Sequence, residues 1–348
     1  MSQKTIPHSR PTLGQEELRA AAKVIESGHI AQGPKVSEFE EALAAFLGVK
    51  GAVVTNSGSS AMHLALMSLG LSAGDEVVMP SFVCTAPLNA AYQAGLGPRV
   101  CDIEEESLNV SAGTVSEVLE DAVKAAVVPH MFGNVADVED IEDLGLTVIE
   151  DCAHALGALY GEKKAGSCGK MGILSFYANK MMACGEGGAV VSDDENLLRF
   201  VSDRRDYDER GDYRPRYNYK MTDIQAAIGL EQLKKLPGFV ERRKEIASRY
   251  SEAFAETGAV LPGVEFDHVY YRYVILVKKD LAQVLKELEV KGVKCARPVH
   301  SPLHRALELR SGFRVTDKVY SGALSVPIYP SLTDEEQEKV IEAVISSL

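Results

Sequence analysis

The chain has 348 residues, of which 46% are hydrophobic and 25% charged, so disorder and coiled coil are excluded as descriptions of the whole chain. Its formal net charge of −13 disfavours a basic nucleic-acid-binding surface. No apolar run approaches the ~18–20 residues that span a bilayer, and the first residues lack the apolar segment of a secretory signal. We therefore expect a cytoplasmic globular protein that binds neither nucleic acid nor membrane.

The six cysteines give little sign of chemistry. None of them forms a CxxC pair, and no cysteine–histidine cluster has the spacing of a zinc site. We interpret them as reduced packing residues of a cytosolic protein and predict no metal site. They are Cys84, Cys101, Cys152, Cys168, Cys184 and Cys295.

The first fifty residues predict two helices. A capping-box pattern that begins at Thr12 precedes a helical stretch ending near Gly28. A second pattern of the same kind begins at Ser37, and the helix that it predicts ends near Gly48.

Seven short apolar runs follow, and most of them are nearly continuous rather than alternating. Continuous runs are typical of strands that helices cover on both faces. Several intervals between the runs are long enough for a crossover helix, so we predict a doubly wound α/β domain with about seven strands. The runs are Ala52–Thr55, Glu76–Met79, Arg99–Asp102, Ala125–Val128, Thr147–Glu150, Ile173–Tyr177 and Ala189–Ser192.

The sequence pattern changes after about residue 235, and the length of the chain also favours roughly two domains. We predict a large α/β domain over residues 1–235 and a smaller C-terminal α+β domain over residues 236–348. The elements expected in the smaller domain are a charged helix (Phe239–Phe254), a strand (Tyr271–Val277), a helix (Leu281–Lys291) and a last helix (Thr333–Leu348).

Polar residues follow three of the predicted strands, where open α/β sheets bind ligands. The first strand leads into Asn56-Ser57-Gly58-Ser59-Ser60 and a helix. Small hydroxyl residues at a helix N-terminus can hold a phosphate, with an ordinary N-cap as the alternative. The fifth strand leads into Asp151 and His154, where an acid could hold a protonated ring nitrogen or cap a helix.

The sixth strand leads into Ser175-Phe176-Tyr177-Ala178-Asn179-Lys180 and then a glycine-rich turn. A lysine just past a buried strand can be desolvated and act as a nucleophile, although a lone lysine is usually a solvated surface residue. A phosphate cradle, an acid and a lysine at three strand ends are together what pyridoxal phosphate requires.

A series of ordered motifs extends over nearly the whole chain, from about Arg10 to about Leu348. The motifs are SGHIAQGPKVSEFE, NSGSSAMHLAL, GDEVVMPSF, PHMFGNVAD, IEDCAHALGA, GILSFYANKMMACGEGGAVV, YNYKMTDIQAAIGL and RPVHSPLHR. Together they resemble the DegT/DnrJ/StrS-type sugar-nucleotide aminotransferases, and the segments RPVHSPLH and VYYRYVILV look most like the perosamine-synthase branch. This resemblance implies the fold type I of pyridoxal-phosphate enzymes, with a seven-stranded, mostly parallel sheet between helices and a smaller C-terminal domain.

The resemblance assigns the cofactor roles residue by residue. Lys180 matches the catalytic lysine that is joined covalently to the cofactor aldehyde. Asp151 matches the acid paired with the pyridine nitrogen, and His154 matches a position near the ring oxygen. The positions that match the phosphate site are Gly58, Ser59, Ser60 and Ser175.

Other positions are expected around the substrate. Asn218 and Lys220 match a segment that the neighbouring subunit of a homodimer donates. Cys84 stands where family members carry an aromatic residue stacked on the cofactor, and Phe82 is the alternative cover. The residues expected at the sugar site are Glu186, Arg297 and His304.

The implied activity is transfer of an amino group from L-glutamate to a nucleotide-linked keto-sugar, most simply of the 4-keto-6-deoxy type, for polysaccharide biosynthesis. The basic run over residues 204–220 is expected to offset the net charge near the substrate pyrophosphate, with a solvated loop as the alternative. Two other functions stay open, a PLP-dependent sugar dehydratase and a non-catalytic scaffold or regulatory relative. The presence of Lys180 disfavours both.

Overall fold

A computed structural model describes residues 5–264 and 266–348 of the chain. The helices are α1 (Gln15–Ser27), α2 (Pro34–Leu47), α3 (Gly58–Ser68), α4 (Ala86–Gln93), α5 (Ala112–Ser116), α6 (Glu139–Glu142), α7 (Glu195–Arg205), α8 (Asp223–Phe254), α9 (Leu281–Val290), α10 (Leu303–Ala306), α11 (Arg314–Gly322) and α12 (Asp334–Ile345). The strands are β1 (Gly51–Thr55), β2 (Glu76–Pro80), β3 (Gly97–Cys101), β4 (Val123–Pro129), β5 (Thr147–Asp151), β6 (Leu159–Tyr160), β7 (Lys163–Lys164), β8 (Met171–Ser175), β9 (Gly188–Ser192), β10 (Tyr273–Leu276) and β11 (Ala323–Val326). All seven predicted strands of the first domain are confirmed, with ends that differ by one or two residues.

One seven-stranded sheet in the order β1-β9-β8-β5-β4-β2-β3 organises the chain. Only β9 runs against its neighbours, and the other six strands point the same way. The mostly parallel α/β fold is therefore confirmed. Because six strands share one direction, their carboxyl ends meet at a single edge of the sheet.

Helices cover both faces of this sheet, as the continuous apolar runs predict. Alternate residues of one strand enter different cores. Val53 packs in a core with the buried face of α3, whereas Val54 packs in a core with α2 and the first half of α8. In β8, Ile173 packs in the core that contains α3, and Leu174 packs in the core that contains α2.

The 32-residue helix α8 connects the sheet to the C-terminal part of the chain. It runs through residues 235–236, where the sequence places the domain boundary, and it contains Pro237. Its last turns pack Tyr250 and Phe254 into a third core, which includes β10, β11, α9 and α12. The third core takes in most of the C-terminal elements, whereas Val274 and Leu303 pack in the core that contains α3. The division into two domains at residues 235 and 236 stays a prediction.

Both predicted helix starts are wrong. The residues that precede α1 and α2 are Gly14 and Gly33, and neither Thr12 nor Ser37 caps a helix. The N-terminus of α2 is instead closed by Asp223, which lies at the start of α8. The predicted helix ends are confirmed, because Gly28 and Gly48 both adopt the left-handed conformation that ends a helix.

The described part of the chain contains no helix that is both long and apolar enough to cross a bilayer. All six cysteines are free. Cys101, Cys152 and Cys184 are buried, as packing residues are expected to be.

Candidate active site

A cavity of about 470 Å³ opens at the carboxyl edge of the sheet. Its walls come from the segments that follow β1, β2, β4, β5 and β8, and from residues 298–300 of the C-terminal part. Eight of the residues that the sequence selects line it: Gly58, Ser59, Cys84, Asp151, His154, Ser175, Lys180 and Glu186. Residues far apart in the chain meet here because parallel strands bring their ends together.

The N-terminus of α3 forms one end of the cavity. Ser57 caps this helix by accepting a hydrogen bond from the Ser60 amide at 3.1 Å. The amides of Gly58 and Ser59 belong to the first turn, where N–H groups have no acceptor within the helix and attract anions. A Cβ on Gly58 would come within 2.9 Å of the Ser175 Cβ, so the close approach of these two segments requires glycine.

Ser60 has a different place from the other predicted phosphate ligands. Its hydroxyl donates to the Asn56 Oδ1 at 2.7 Å, and its side chain is buried in the cap rather than lining the cavity. The serines that line the cavity at this end are Ser57, Ser59 and Ser175.

Asp151 ends β5 and faces the cavity. Among the described residues, its carboxylate makes one hydrogen bond, which it accepts from the Ala153 amide at 3.0 Å. Burial raises the pKa of Asp151, while that amide and the charge of Lys180 act in the opposite direction. A cationic group bound in the cavity beside Asp151 would stabilise the ionised form of its carboxylate.

The neighbouring carboxylate, Glu150, points to the other face of β5. It is fully buried and accepts hydrogen bonds from the His130 Nε2 at 3.0 Å and from the amides of residues 166, 168 and 169. His130, Glu150 and Cys152 lie within metal-ligand distance of one another. Because hydrogen bonds already occupy both oxygens of Glu150, we assign this cluster a structural role that anchors the loop before β8.

Lys180 lies in the turn that follows β8, where its amide donates to the Tyr177 carbonyl at 2.8 Å. The Lys180 Nζ lies 5.0 Å from the centroid of the Tyr271 ring. No carboxylate of the described chain forms an ion pair with it. The Tyr271 hydroxyl donates to the Asn179 Oδ1 at 3.0 Å and so ties the ring to the lysine turn. An amine without an ion pair is free to react with an aldehyde.

His154 lines the cavity beside Lys180. Its ring stacks on Tyr271 with the centroids 4.2 Å apart. Burial, with the nearby charges of Lys180 and Arg272, holds the pKa of His154 well below its ordinary value. The imidazole is therefore neutral in this site.

Cys84 and Phe82 were the two candidates for the cover of the cofactor ring. Cys84 lines the cavity and is exposed there. Phe82 is fully buried and packs edge-on against Phe132, with the ring centroids 6.1 Å apart. Of these two, Cys84 is the residue at the cavity.

Two residues predicted at the sugar site are placed outside the cavity. The Arg297 guanidinium lies 4.1 Å over the Tyr320 ring and donates to the Tyr320 carbonyl. His304 is buried, with its Nδ1 2.7 Å from the Ser81 hydroxyl. Glu186 does line the cavity and is exposed.

The segment expected from a neighbouring subunit also lies outside the cavity of its own chain. Lys220 Nζ donates to Asp206 at 2.7 Å and to Asp208 at 2.9 Å. Asn218 is exposed, and its carbonyl accepts from the Asn56 side chain at 3.3 Å.

Several residues that line the cavity were not predicted from the sequence, although most of them lie in the family motifs. His300 belongs to RPVHSPLHR, Phe132 to PHMFGNVAD and Tyr177 to the lysine segment. The motif identifies the segment, but the face that each side chain presents depends on packing. The other unselected lining residues include Met62, Val83, Pro129, Met131, Pro298 and Val299.

The donor set of the cavity fits PLP. The first turn of α3 and the hydroxyls of Ser59 and Ser175 suit a phosphate, Asp151 suits a protonated ring nitrogen, and Lys180 suits an aldehyde. The missing Cβ of Gly58 lets the first turn of α3 lie directly against Ser175, so the amides of that turn and Ser175 share one end of the cavity.

Comparisons with known proteins agree with this geometry. The model of the DegT/DnrJ/EryC1/StrS aminotransferase family matches residues 11–345. The chain is 35% identical over 375 residues to the spore coat polysaccharide biosynthesis protein SpsC of Bacillus subtilis, an alignment that covers 97% of this chain and 96% of SpsC.

Solved structures of the same architecture include PseC and ColD. PseC of Helicobacter pylori, an aminotransferase involved in the biosynthesis of pseudoaminic acid, has a TM-score of 0.94 and 26% identity, with 99% of each chain covered. The GDP-4-keto-6-deoxymannose-3-dehydratase ColD has a TM-score of 0.90 over 97% of this chain and 99% of its own. Its identity is 23%, which establishes a common fold only.

Members of the matched family depend on PLP, the cofactor that the cavity fits. Sequence, fold and site therefore agree. The chain belongs to the DegT/DnrJ/EryC1/StrS aminotransferase family and is a transaminase with PLP as its cofactor.

Proposed function

We propose that this transaminase moves the amino group of L-glutamate to the keto carbon of a nucleotide-linked sugar, of the 4-keto-6-deoxy type. The observation that carries the proposal is the cavity in which the Lys180 amine, without an ion pair, faces Asp151 and the N-terminus of α3. These residues are those that a PLP-dependent amino transfer needs.

When bound, PLP supplies an aldehyde carbon that exchanges amines and a ring that accepts electrons. Lys180 would hold that carbon, and its Nζ would be the base that moves a proton from the α-carbon of the amino donor to the cofactor. General acid–base catalysis of this kind contributes typically ~10²–10⁴-fold. The Asp151 carboxylate would keep a proton on the ring nitrogen, and the first turn of α3 with Ser59 and Ser175 would hold the phosphate.

A sugar as the amino acceptor is supported by the relatives. SpsC is named for spore coat polysaccharide biosynthesis, and PseC is an aminotransferase involved in the biosynthesis of pseudoaminic acid. One part of the cavity wall is apolar, from Val83, Pro298 and Val299, and this surface suits the methyl group of a 6-deoxy sugar. Glu186 and His300 supply polar groups for the sugar hydroxyls.

We further propose a homodimer in which Asn218 and Lys220 complete the cavity of the partner. Within one chain, Lys220 is neutralised by Asp206 and Asp208 and stays outside the cavity. The run over residues 204–220 would then meet the anionic substrate only across the subunit interface.

The six free cysteines favour a reducing compartment, and we propose the cytoplasm.

A sugar dehydratase of the same fold is the second candidate, because ColD shares the architecture. The family resemblance implies histidine in place of the lysine in such dehydratases, or an iron–sulfur cluster. This chain keeps Lys180 at the cavity, which favours transfer over dehydration.

Absorbance spectra of the purified holoenzyme test the reaction. We expect the band of the lysine-bound cofactor, and we expect L-glutamate to convert it to the pyridoxamine form. Lys180→Ala should remove both the band and turnover, whereas Lys170→Ala, which removes a surface lysine paired with Asp194, should change neither. A band that does not respond to glutamate would favour the dehydratase, and no band would favour a non-catalytic relative.

The acceptor requires a separate experiment. Candidate keto-sugar nucleotides are incubated with the enzyme and ¹⁵N-labelled L-glutamate, and mass spectrometry detects the labelled amino sugar. Labelled product from a 4-keto-6-deoxy substrate supports the proposal. Labelled product from other keto-sugars only would contradict it.

A further inference from the structure

The turn that follows β4 holds Phe132 in a backbone conformation that this residue does not favour. Phe132 has a φ of 59°, in the left-handed region where bulky residues are strained. Gly133 follows with a φ of 96°, and a Cβ there would come within 3.1 Å of the His154 carbonyl oxygen. Strain of this kind persists only where the surroundings enforce it, and it gathers at functional sites.

A buried asparagine enforces the turn. Asn109 is 1% exposed, accepts from the Met131 amide at 2.8 Å and donates to the Asn134 carbonyl at 3.1 Å. A third hydrogen bond that holds the turn runs from the Arg272 amide to the Phe132 carbonyl, at 3.2 Å. Both ends and the centre of the turn are therefore fixed.

The fixed turn directs one N–H group at the active-site histidine. The Phe132 amide donates to the Nδ1 of His154 at 3.4 Å. A nitrogen that accepts a hydrogen bond carries no proton, so the proton of the neutral ring is on Nε2. The stacked Tyr271 ring, with an interplanar angle of 16°, restricts rotation of the imidazole.

We propose that the turn over residues 131–134 is a positioning element that fixes His154 in its Nε2–H tautomer. This N–H is a hydrogen-bond donor for an oxygen of the group that the cavity binds. Among the described residues the His154 Nε2 makes no hydrogen bond, and His154 lines the cavity. The tautomer is a property of the protein alone, so the inference does not depend on which reaction the enzyme performs.

The charges around His154 support a ring with a single proton. Lys180 approaches from the turn after β8, and Arg272 approaches from the segment before β10. Both are cations, and both disfavour a second proton on the imidazole. The Tyr271 ring stacks on the imidazole, and its hydroxyl donates a hydrogen bond to the Asn179 Oδ1 rather than to His154. The neutral imidazole therefore offers a single N–H group to the cavity.

Nuclear magnetic resonance of the histidine rings tests the tautomer. The protein is labelled with ¹⁵N-histidine, and long-range ¹H–¹⁵N spectra are recorded between pH 6 and pH 8, without cofactor and with PLP. The His154 signals are assigned by their loss in His154→Asn. We expect the shifts of the Nε2–H tautomer in both states. The Nδ1–H tautomer, an equal mixture of the two, or a doubly protonated ring at pH 7 would overturn the proposal.

The role of the turn is tested with Asn109→Ala. This variant releases the Met131 amide and the Asn134 carbonyl, so the His154 shifts should move towards the average of the two tautomers. Thr333→Ala, which removes the cap of α12, a helix that does not line the cavity, controls for lost stability and should leave the His154 signals unchanged. Unchanged signals in a folded Asn109→Ala protein would refute the positioning role. If that variant does not fold, the wild-type spectrum still decides the tautomer.

Discussion

Asp151 illustrates the conflict between function and stability at the level of one residue. Its carboxylate is held where burial raises the pKa, and it has no cationic hydrogen-bond partner in the described chain. A folded state with a raised carboxyl pKa binds the proton more readily than the unfolded chain does. Burial of the ionised Asp151 carboxylate therefore lowers the free energy of unfolding. This loss is absent below the ordinary pKa of about 3.9 and grows as the pH rises through the raised pKa.

Asp151→Asn should therefore stabilise the cofactor-free protein at neutral pH. We expect a Tm a few degrees above that of the wild type at pH 7, and a difference that disappears near pH 4. PLP should bind about 10- to 100-fold more weakly, because a charge-assisted hydrogen bond contributes about 1.5–3 kcal/mol. Thermal unfolding across this pH range and a PLP titration measure the two effects. An equal or lower Tm at pH 7 would contradict the argument.

His300 and His304 show where prediction from the sequence ends at this scale. Both lie in one motif, four residues apart, and the sequence selected His304. The structure places the His304 ring against Ser81, at the end of β2, and His300 at the cavity. The motif therefore identified the segment, but the choice between its two histidines depends on packing that no local pattern encodes.

The two histidines should accordingly differ when each is replaced. His300→Ala should raise the KM for the sugar nucleotide about 3- to 10-fold, as expected for one neutral hydrogen bond, and leave the Tm unchanged. His304→Ala should lower the Tm with little change in KM. Steady-state kinetics and thermal unfolding of both variants measure this difference, and the reverse pattern would return His304 to the substrate site.

At the level of elements, the continuous apolar runs were sufficient to predict all seven strands of the large sheet. The start of α1 was wrong because the local bond there joins the Gly14 amide to the Glu17 carboxylate and does not involve Thr12. The start of α2 was wrong because its cap is not local. The carboxylate of Asp223 accepts from the Gly33 and Val36 amides at 2.8 and 3.0 Å and from the Lys35 amide at 3.2 Å. A cap supplied from 190 residues away leaves no short-range pattern in the sequence.

Replacing this cap should destabilise the whole chain. We expect Asp223→Ala to lower the free energy of unfolding by about 2 kcal/mol, since a buried carboxylate on backbone amides contributes more than an exposed cap. Asp223→Asn keeps one acceptor oxygen and should lose less. Asp280→Ala, which removes the cap of α9, is the matched control and should lose at most about 1 kcal/mol. Urea unfolding measures the free energy of unfolding of all three variants. Equal losses in Asp223→Ala and Asp280→Ala would show that the distant cap stabilises the chain no more than an ordinary cap does.

The junction of β1 and α3 permits a second test at this scale. A Cβ on Gly58 would meet the Cβ of Ser175 at 2.9 Å. Gly58→Ala should therefore push the α3 N-terminus away from β8 and weaken PLP binding about 10- to 100-fold, since overpacking costs about 1–3 kcal/mol. Gly238→Ala, where a Cβ meets nothing within 4 Å, should bind PLP normally. A PLP titration of both variants compares them, and normal binding by Gly58→Ala would remove this turn from the phosphate site.

For the whole molecule, the proposed substrate raises an electrostatic problem. The chain carries a net charge of −13, whereas a sugar nucleotide is an anion that such a field repels. The basic run over residues 204–220 is partly neutralised within its own chain, Arg205 by Glu40 and Lys220 by Asp206. Lys220 also stays outside the cavity of its own chain. These features are consistent with a site that is completed by a second subunit.

Hybrid dimers provide a direct test of this arrangement. One chain carries Lys180→Ala, and the other carries Asn218→Ala with Lys220→Ala. If each cavity combines Lys180 of one subunit with residues 218–220 of the other, a mixed dimer contains one intact site and one doubly defective site. Random reassociation of equal amounts forms mixed dimers in half of the molecules, so about a quarter of the wild-type activity should return.

The two parent proteins, treated in the same way without mixing, should each stay almost inactive. A cavity built from a single chain predicts no recovery, because each chain in the mixed dimer then lacks one necessary residue of its own site. Strong activity in the unmixed Asn218→Ala, Lys220→Ala protein would instead remove residues 218–220 from the site altogether. Recovery in the mixture alone requires that residues from two subunits act in one cavity, because neither chain can supply both.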